Sequence, residues 1–110
     1  MDKVKPTRDE KLMDAEREII RGGTRCWLDS KLYASAPHHI FYGDDKDDRY
    51  IAPLSLERHN TGDTAAHGSD AKEIQIILVR RWIKFNPDRR EEILSYADGR
   101  GYGDIRERIK

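Results

Sequence analysis

The stretch DAKEIQIILVRRWIKFNPDRREEILSY, residues Asp70–Tyr96, holds the densest apolar run of the chain and one of its two tryptophans. Asp70 and Glu73 have the spacing of a capping box, which predicts that a helix begins here. The following apolar side chains recur every three or four residues, as on one face of a helix. That face comprises Ile74, Ile77, Leu78, Trp82 and Phe85, widened by Ile76, Val79 and Ile83. We expect this helix to form the core on which the other segments pack, with a strand at 74–79 as the alternative.

A second helix should follow the first almost at once. Asn86-Pro87 is a typical helix start, with the asparagine as N-cap and the proline in the first turn. This helix is predicted to run to about Ala97 and to bury one apolar side. After a glycine-containing turn at 98–103, a further capping-box pattern from Asp104 predicts a short terminal helix.

The N-terminal part of the chain predicts another helix, from Thr7 to Gly22. Thr7 and Glu10 form a capping-box pattern, and the Gly22-Gly23 pair supplies a stop. One helical face carries the apolar side chains Leu12, Ala15 and Ile19, flanked by Met13 and Ile20. We expect this face to pack on the core.

The middle of the chain predicts a β-hairpin over His38–Ala52. Short β-forming runs at 40–42 and 50–51 enclose a polar tip at Gly43–Arg49. Within the tip, the acidic run Asp44–Asp48 could bind a hard cation, but it lacks the ligand spacing of an EF-hand. A charge run is more often a solvated face, so we favour a solvated hairpin tip.

The segment Thr24–Ala36 fits two structures. Its apolar residues alternate with polar ones, as in a strand, and also fall on one side of a possible second helix. We favour the strand, which Pro37 would end. The single cysteine, Cys26, is expected to be a small buried apolar residue here.

Together these patterns predict an α+β fold in one small domain over residues 1–110. It would combine an N-terminal helix, a short antiparallel hairpin or sheet, and two or three C-terminal helices, with a mostly α fold as the alternative. Residues 1–6 are expected to be disordered. Residues 57–69 lack periodicity and predict a long surface loop.

Composition limits the classes of function. The chain has 110 residues, of which 36% are hydrophobic and 38% charged, so its core will be small. It carries 21 basic and 21 acidic residues, which argues against a generic polyanion binder and makes self-association easier. One cysteine allows no internal disulfide, and the charged N-terminus does not resemble a signal peptide. No run approaches the roughly 18 apolar residues of a membrane span. We therefore expect a cytoplasmic protein without a membrane partner.

Charge is unevenly distributed along the neutral chain. Residues 43–63 hold six acidic and three basic residues, whereas residues 72–90 hold six basic and two acidic residues. Opposite poles of this kind favour docking on a charged partner or assembly between copies. The candidate binding residues are Arg80, Arg81, Lys84, Arg89, Arg90 and Arg100.

Candidate sites for chemistry are weaker. His59 and His67 flank Asp63 in the 57–69 loop, and they are the candidate metal-binding or acid–base residues. Residues 89–110 resemble a helix-turn-helix in layout, but residues 88–110 hold six basic and six acidic residues, which favours an αα-hairpin. The sequence predicts no catalytic residue and no cofactor.

The leading hypothesis is a small non-enzymatic binding or regulatory protein that acts through a protein partner or self-association. A nucleic-acid-binding regulator that uses the basic segment 80–100 is the first alternative. The second is a small-molecule or nucleotide-binding protein, or an enzyme, with its site in the loop at 57–69.

Overall fold

The computed structural model describes residues 5–57 and 70–109, in which helices pack around a two-stranded antiparallel sheet. In chain order the elements are α1 (Glu10–Arg21), β1 (Ala36–His39), β2 (Ile51–Leu54), α2 (Ala71–Phe85), α3 (Arg90–Gly99) and α4 (Asp104–Arg108). Short 3-10 turns occur at Gly43–Asp45 and Pro87–Arg89. The predicted α+β fold class is confirmed. The predicted disordered end and long loop lie largely outside the described residues.

The predicted hairpin is present, but its strands lie further from the tip than expected. β1 and β2 are antiparallel, and Pro37 stands opposite Pro53. Because neither proline has an N–H, this pair needs no backbone hydrogen bond between its two members. Pro37, predicted to end an earlier strand, therefore lies inside β1. The β-forming residues Ile40 and Phe41 fall in the connection, where their side chains are fully buried in the core.

The segment before β1 is neither the predicted strand nor the alternative helix. It folds back on itself through one isolated bridge between Arg25 and Tyr33. The Cys26 amide donates to the Leu32 carbonyl (2.9 Å). The Trp27 amide donates to the Pro53 carbonyl (3.0 Å), which ties this segment to β2. Cys26 is buried, as expected.

α2 lies against the core, but its buried face differs from the predicted one. The buried side chains are Ile74, Gln75, Ile76, Leu78, Val79 and Trp82. Ile77 and Phe85, both predicted to face inward, are exposed. The buried face is therefore rotated away from Ile77 and Phe85 and includes the polar residue Gln75. Gln75, 1% exposed, is accommodated because its Nε2 donates to the Ile40 carbonyl at 3.0 Å.

The C-terminal helices close the other side of the core. α3 and α4 bury Ile93, Leu94, Tyr96, Ala97 and Ile105. Between them, Gly101 has φ 89°, a left-handed conformation that lets the Tyr102 amide donate to the Ala97 carbonyl at 2.8 Å. Aromatic rings pack closely here, and the ring centroid of Phe41 lies 5.0 Å from that of Tyr96 and 5.4 Å from that of Tyr102.

The predicted capping boxes are not formed. Neither Asp70 nor Asn86 caps a helix through its side chain, and α4 follows Gly103 instead of starting from an Asp104 cap. α1 begins at Glu10, later than predicted, with the Asp9 side chain accepting from the Lys11 amide. Thr7 is not its cap, and the Thr7 amide instead donates to the hairpin connection.

The acidic run Asp44–Asp48 supplies the acceptor for that amide. The prediction of a solvated tip was therefore wrong for Asp47 and Asp48, which are buried, while Asp44 and Lys46 are exposed. Asp47 is fully buried, and its carboxylate accepts from the Thr7 amide (2.8 Å). The same carboxylate accepts from the Arg49 amide, Nε and Nη2 at 2.9, 3.0 and 2.9 Å. One buried charge therefore joins the N-terminal segment to the hairpin.

Two further acids of the run connect other parts of the chain. Asp48, 4% exposed, accepts from the Asp9 amide at 2.6 Å and contacts His39 Nε2 at 2.8 Å. Asp45 accepts from Arg100 Nε and from the Tyr102 hydroxyl, both at 2.7 Å. We call Asp45, Asp47 and Asp48 the acidic hub. It fixes α1 and the C-terminal helices to the hairpin.

Because of the acidic hub, the free energy of unfolding should fall as the pH is lowered into the acid range. Burial alone would raise the pKa of Asp48, but the bonds from His39 and the Asp9 amide, with the charge of Arg8, lower it overall. Asp48 therefore stabilises the folded state above its unfolded pKa of about 4, and that stabilisation is lost as pH falls through its folded pKa. Urea unfolding at a series of pH values below about 6 should show this decline.

Asp48→Asn should reduce the decline, because it removes one of the groups whose pKa is lowered on folding. Part of the decline should remain, since the pKa values of Glu92 and Asp104 are also lowered in the folded state. An unchanged pH profile in Asp48→Asn would show that the Asp48 contacts contribute nothing.

Candidate functional site

The predicted basic surface is only partly assembled. On α2, at the start of α3 and in the 3-10 turn between them, five of the predicted basic side chains are exposed: Arg80, Arg81, Lys84, Arg89 and Arg90. Arg80 donates to the Arg108 carbonyl at 2.6 Å, and Arg89 pairs with Glu92 at 2.9 Å. Arg100 follows α3, ten residues after Arg90 and so roughly 15 Å along the helix, and its side chain pairs with Asp45. The nucleic-acid hypothesis stays a prediction.

The predicted metal candidates His59, Asp63 and His67 lie outside the described residues, as does most of the loop proposed for an enzyme. Within residues 5–57 and 70–109, no three His, Cys, Asp or Glu side chains are grouped to hold a metal ion. The hypothesis of a site in that loop also stays a prediction.

A groove that sequence reasoning missed runs between α1 and the C-terminal end of α2. Its volume is about 530 Å³, within the usual range of ligand-binding clefts. Its apolar walls and floor are formed by Leu12, Ile19, Trp27, Ile51, Trp82 and Phe85. We call this the α1–α2 groove.

One wall is the α1 face that was predicted to enter the core. Leu12 and Ile19 are 38% and 55% exposed, and Ala15 beside them is exposed as well. Met13 and Ile20 are the α1 side chains that are buried. The apolar residues of α1 thus form two adjacent stripes. The Met13–Ile20 stripe anchors the helix, and the Leu12–Ile19 stripe is left facing the groove.

Aromatic rings form the opposite side. Trp27 and Phe85 stack with ring centroids 5.3 Å apart and planes inclined by 25°. Phe85 is nevertheless 61% exposed, whereas Trp82, one turn earlier on α2, is buried. The Arg89 guanidinium lies 4.9 Å from the Trp82 ring, a cation–π contact at the rim. This side therefore offers a large and firmly held apolar surface.

The polar groups of the groove leave one charge without a counterion. Arg49 is bound to Asp47 and Arg89 to Glu92, so both guanidinium groups are neutralised. Glu16 is half-buried on α1, and burial raises the pKa of its carboxyl. Among the described residues it forms neither a hydrogen bond nor an ion pair. The groove therefore presents one partly desolvated carboxylate within an apolar wall.

Glu16→Gln should stabilise the free protein near neutral pH. A carboxyl whose pKa is raised on folding opposes the folded state once it is ionised, and glutamine removes that ionisation. Solvent screening limits the gain to roughly 0.5 kcal/mol or less in the free energy of unfolding. The gain should vanish below about pH 4, where the carboxyl is protonated in both states.

Urea unfolding of Glu16→Gln at neutral and acid pH measures this gain. Glu18→Gln is the matched control, since Glu18 is exposed on the same helix and pairs with Arg21. It should give no gain. A Glu16→Gln protein that is less stable than the parent at pH 7 would mean that the carboxylate has a favourable partner.

The lining of the groove is mostly apolar. The described side chains around the groove include no serine, cysteine, histidine or lysine, and the Thr24 hydroxyl donates to the Ile19 carbonyl at 2.9 Å. Asp48, at its edge, is held by His39 and Arg8. An apolar groove with one unpaired carboxylate, that of Glu16, resembles the surfaces on which amphipathic helices dock.

Comparison with known proteins adds no relative. No protein-family model matches the chain, and searches of curated proteins and of solved structures gave no match. In the described part of the chain, none of the helices has the length and apolar character needed to cross a membrane.

Proposed function

We propose that this is a small non-enzymatic binding protein whose α1–α2 groove docks an amphipathic helix of a partner protein. One observation carries the proposal. Six large hydrophobic side chains are exposed in the described part of the chain, and three of them, Leu12, Ile19 and Phe85, line this one groove. Clustered exposed apolar side chains mark interaction sites, whereas isolated ones do not.

The dimensions of the groove favour a short helix as the occupant. The seven-residue step from Leu12 to Ile19 covers roughly 10 Å along α1, or about two helical turns. A partner helix of similar length would present apolar residues at positions i, i+3 or i+4, and i+7. Those residues would lie on the stacked Trp27 and Phe85 rings and against the α1 wall.

Charge favours a different protein over a second copy of this chain. Glu16 lies between Leu12 and Ile19 on the α1 wall. In a symmetric dimer that paired two grooves through α1, Glu16 would face its own copy near the axis, and the two carboxylates would repel. A partner helix with a lysine or arginine at that point would instead neutralise Glu16. The expected partner segment is therefore apolar with a central basic residue.

Selection of random peptides displayed on phage against the immobilised protein tests the proposal. We expect enriched sequences with helical apolar spacing and a lysine or arginine. They should bind Phe85→Ser weakly but Leu56→Ser normally, since Leu56 is equally exposed but lies outside the groove. Glu16→Gln should also weaken them, although it stabilises the free protein.

Three results would contradict the proposal. The selection could enrich no peptide, or Phe85→Ser could leave peptide binding unchanged. Light scattering could also reveal a stable dimer that Phe85→Ser dissociates, in which case a second copy occupies the groove.

A further inference from the structure

A second recess adjoins the α1–α2 groove behind the stacked Trp27–Phe85 pair. Its volume is about 490 Å³, and it shares Thr24, Trp27 and Phe85 with the groove. The segment 24–30 forms one side, and Arg81 of α2 forms part of the other. A ligand lying across the aromatic pair would therefore reach both spaces. We call this space the 24–30 recess.

Two guanidinium groups, those of Arg25 and Arg81, determine the charge of the recess. Arg25 is held over the Tyr33 ring, 4.0 Å from its centroid, with Nη1 3.5 Å from the Lys31 carbonyl. Arg81 is exposed and makes no hydrogen bond or ion pair with the described residues. The one acid of the recess, Asp29, accepts from the Lys31 amide at 3.0 Å. The recess thus has a net positive charge, whereas the groove holds as many acidic as basic side chains, with Glu16 unpaired.

We infer that the 24–30 recess is a carboxylate-binding subsite for the docked segment. This inference rests on the proposed function. Arginine binds carboxylates through two parallel N–H groups, and Arg25 is already oriented by Tyr33. The docked segment can then lie in only one direction. Its basic residue pairs with Glu16, and its carboxylate reaches past the Trp27–Phe85 pair into the recess. The carboxylate is either an acidic side chain or the free C-terminus of the segment.

Parallel peptide selections on the parent protein and on an Arg25→Gln/Arg81→Gln variant test the inference. Both should enrich the apolar helical pattern, but only the parent should enrich an acidic residue at one end. Lys84→Gln/Arg90→Gln is the matched control, since it removes two exposed charges that line neither space. It should select the same peptides as the parent.

Affinities of synthetic peptides make the test quantitative. Replacing the acidic residue by glutamine should weaken binding to the parent roughly 5-fold to 30-fold, and should have little effect on the double variant. If the double variant does not fold, Arg81→Gln alone should show a smaller difference of the same kind. Peptides with an amidated or a free C-terminus distinguish a side chain from a terminal carboxylate.

The possible failures are distinguishable. The carboxylate subsite would be overturned if the acidic position is missing or is selected equally by both proteins, and if a free C-terminus also binds the parent no more tightly than an amidated one. The proposed function would then still stand. Selections that enrich nothing on either protein would overturn the proposed function itself.

Discussion

Asp47→Ala should lower the free energy of unfolding by about 2–4 kcal/mol, the loss expected when a buried carboxylate that accepts several hydrogen bonds is removed. The side chain of Asp47 is fully buried and accepts hydrogen bonds from both Thr7 and Arg49. Its removal leaves the Arg49 guanidinium and the Thr7 amide without their acceptor. Urea unfolding at pH 7 measures the loss.

Asp44→Ala is the matched control within the same acidic run. The Asp44 side chain is exposed, and only its backbone carbonyl accepts a bond, from Arg100 at 3.3 Å. Its replacement should change the free energy of unfolding by roughly 0.5 kcal/mol or less. Equally small effects at both positions would support the solvated tip predicted from the sequence. They would contradict a stabilising role for the acidic hub.

Ile19→Asp should weaken binding of a groove-selected peptide by roughly 10-fold to 100-fold or more. The substitution removes an apolar contact worth roughly 1.5–3 kcal/mol when covered, and it places a second carboxylate beside Glu16. The free protein should lose roughly 1 kcal/mol of stability or less, because Ile19 is 55% exposed before binding and the cost is limited to a carboxylate in the last turn of α1. Isothermal titration calorimetry measures the affinity, and a thermal melt checks the fold.

Ile77→Asp is the control for this loss. Ile77 is also an exposed isoleucine on a helix, but it lies outside the groove. It should leave the affinity unchanged. A similar loss of affinity in both variants would mean that the peptide responds to overall charge and not to the groove.

Local sequence patterns predicted where the helices lie in the chain better than which of their faces is buried. The periodic run from Ile74 to Trp82 and the flanking helices could be read from sequence because helical spacing is a short-range signal. Which edge of an apolar face is buried depends on the packing partner. The α1 residues 12, 13, 15, 19 and 20 span two stripes, and nothing local shows that Met13 and Ile20 are the anchors.

The acidic hub could not be predicted for a similar reason. A run such as DDKDD is usually solvated, and its partners here are distant in sequence. Asp47 bonds the amide of Thr7, 40 residues away, and Asp45 bonds Arg100, 55 residues away. The groove was missed because its walls come from α1, the segment around Trp27 and the end of α2. The unusual split of α1 into two apolar stripes was the one available signal.

The most direct test of groove docking uses the two tryptophans, Trp27 and Trp82, which are the only ones in the chain and both line the groove. A selected peptide without tryptophan is titrated into ¹⁵N-labelled protein while the two indole N–H resonances are followed. Both resonances should move and saturate with the dissociation constant that calorimetry gives. Indole resonances that stay fixed while the peptide binds would place the docking site elsewhere and contradict the account.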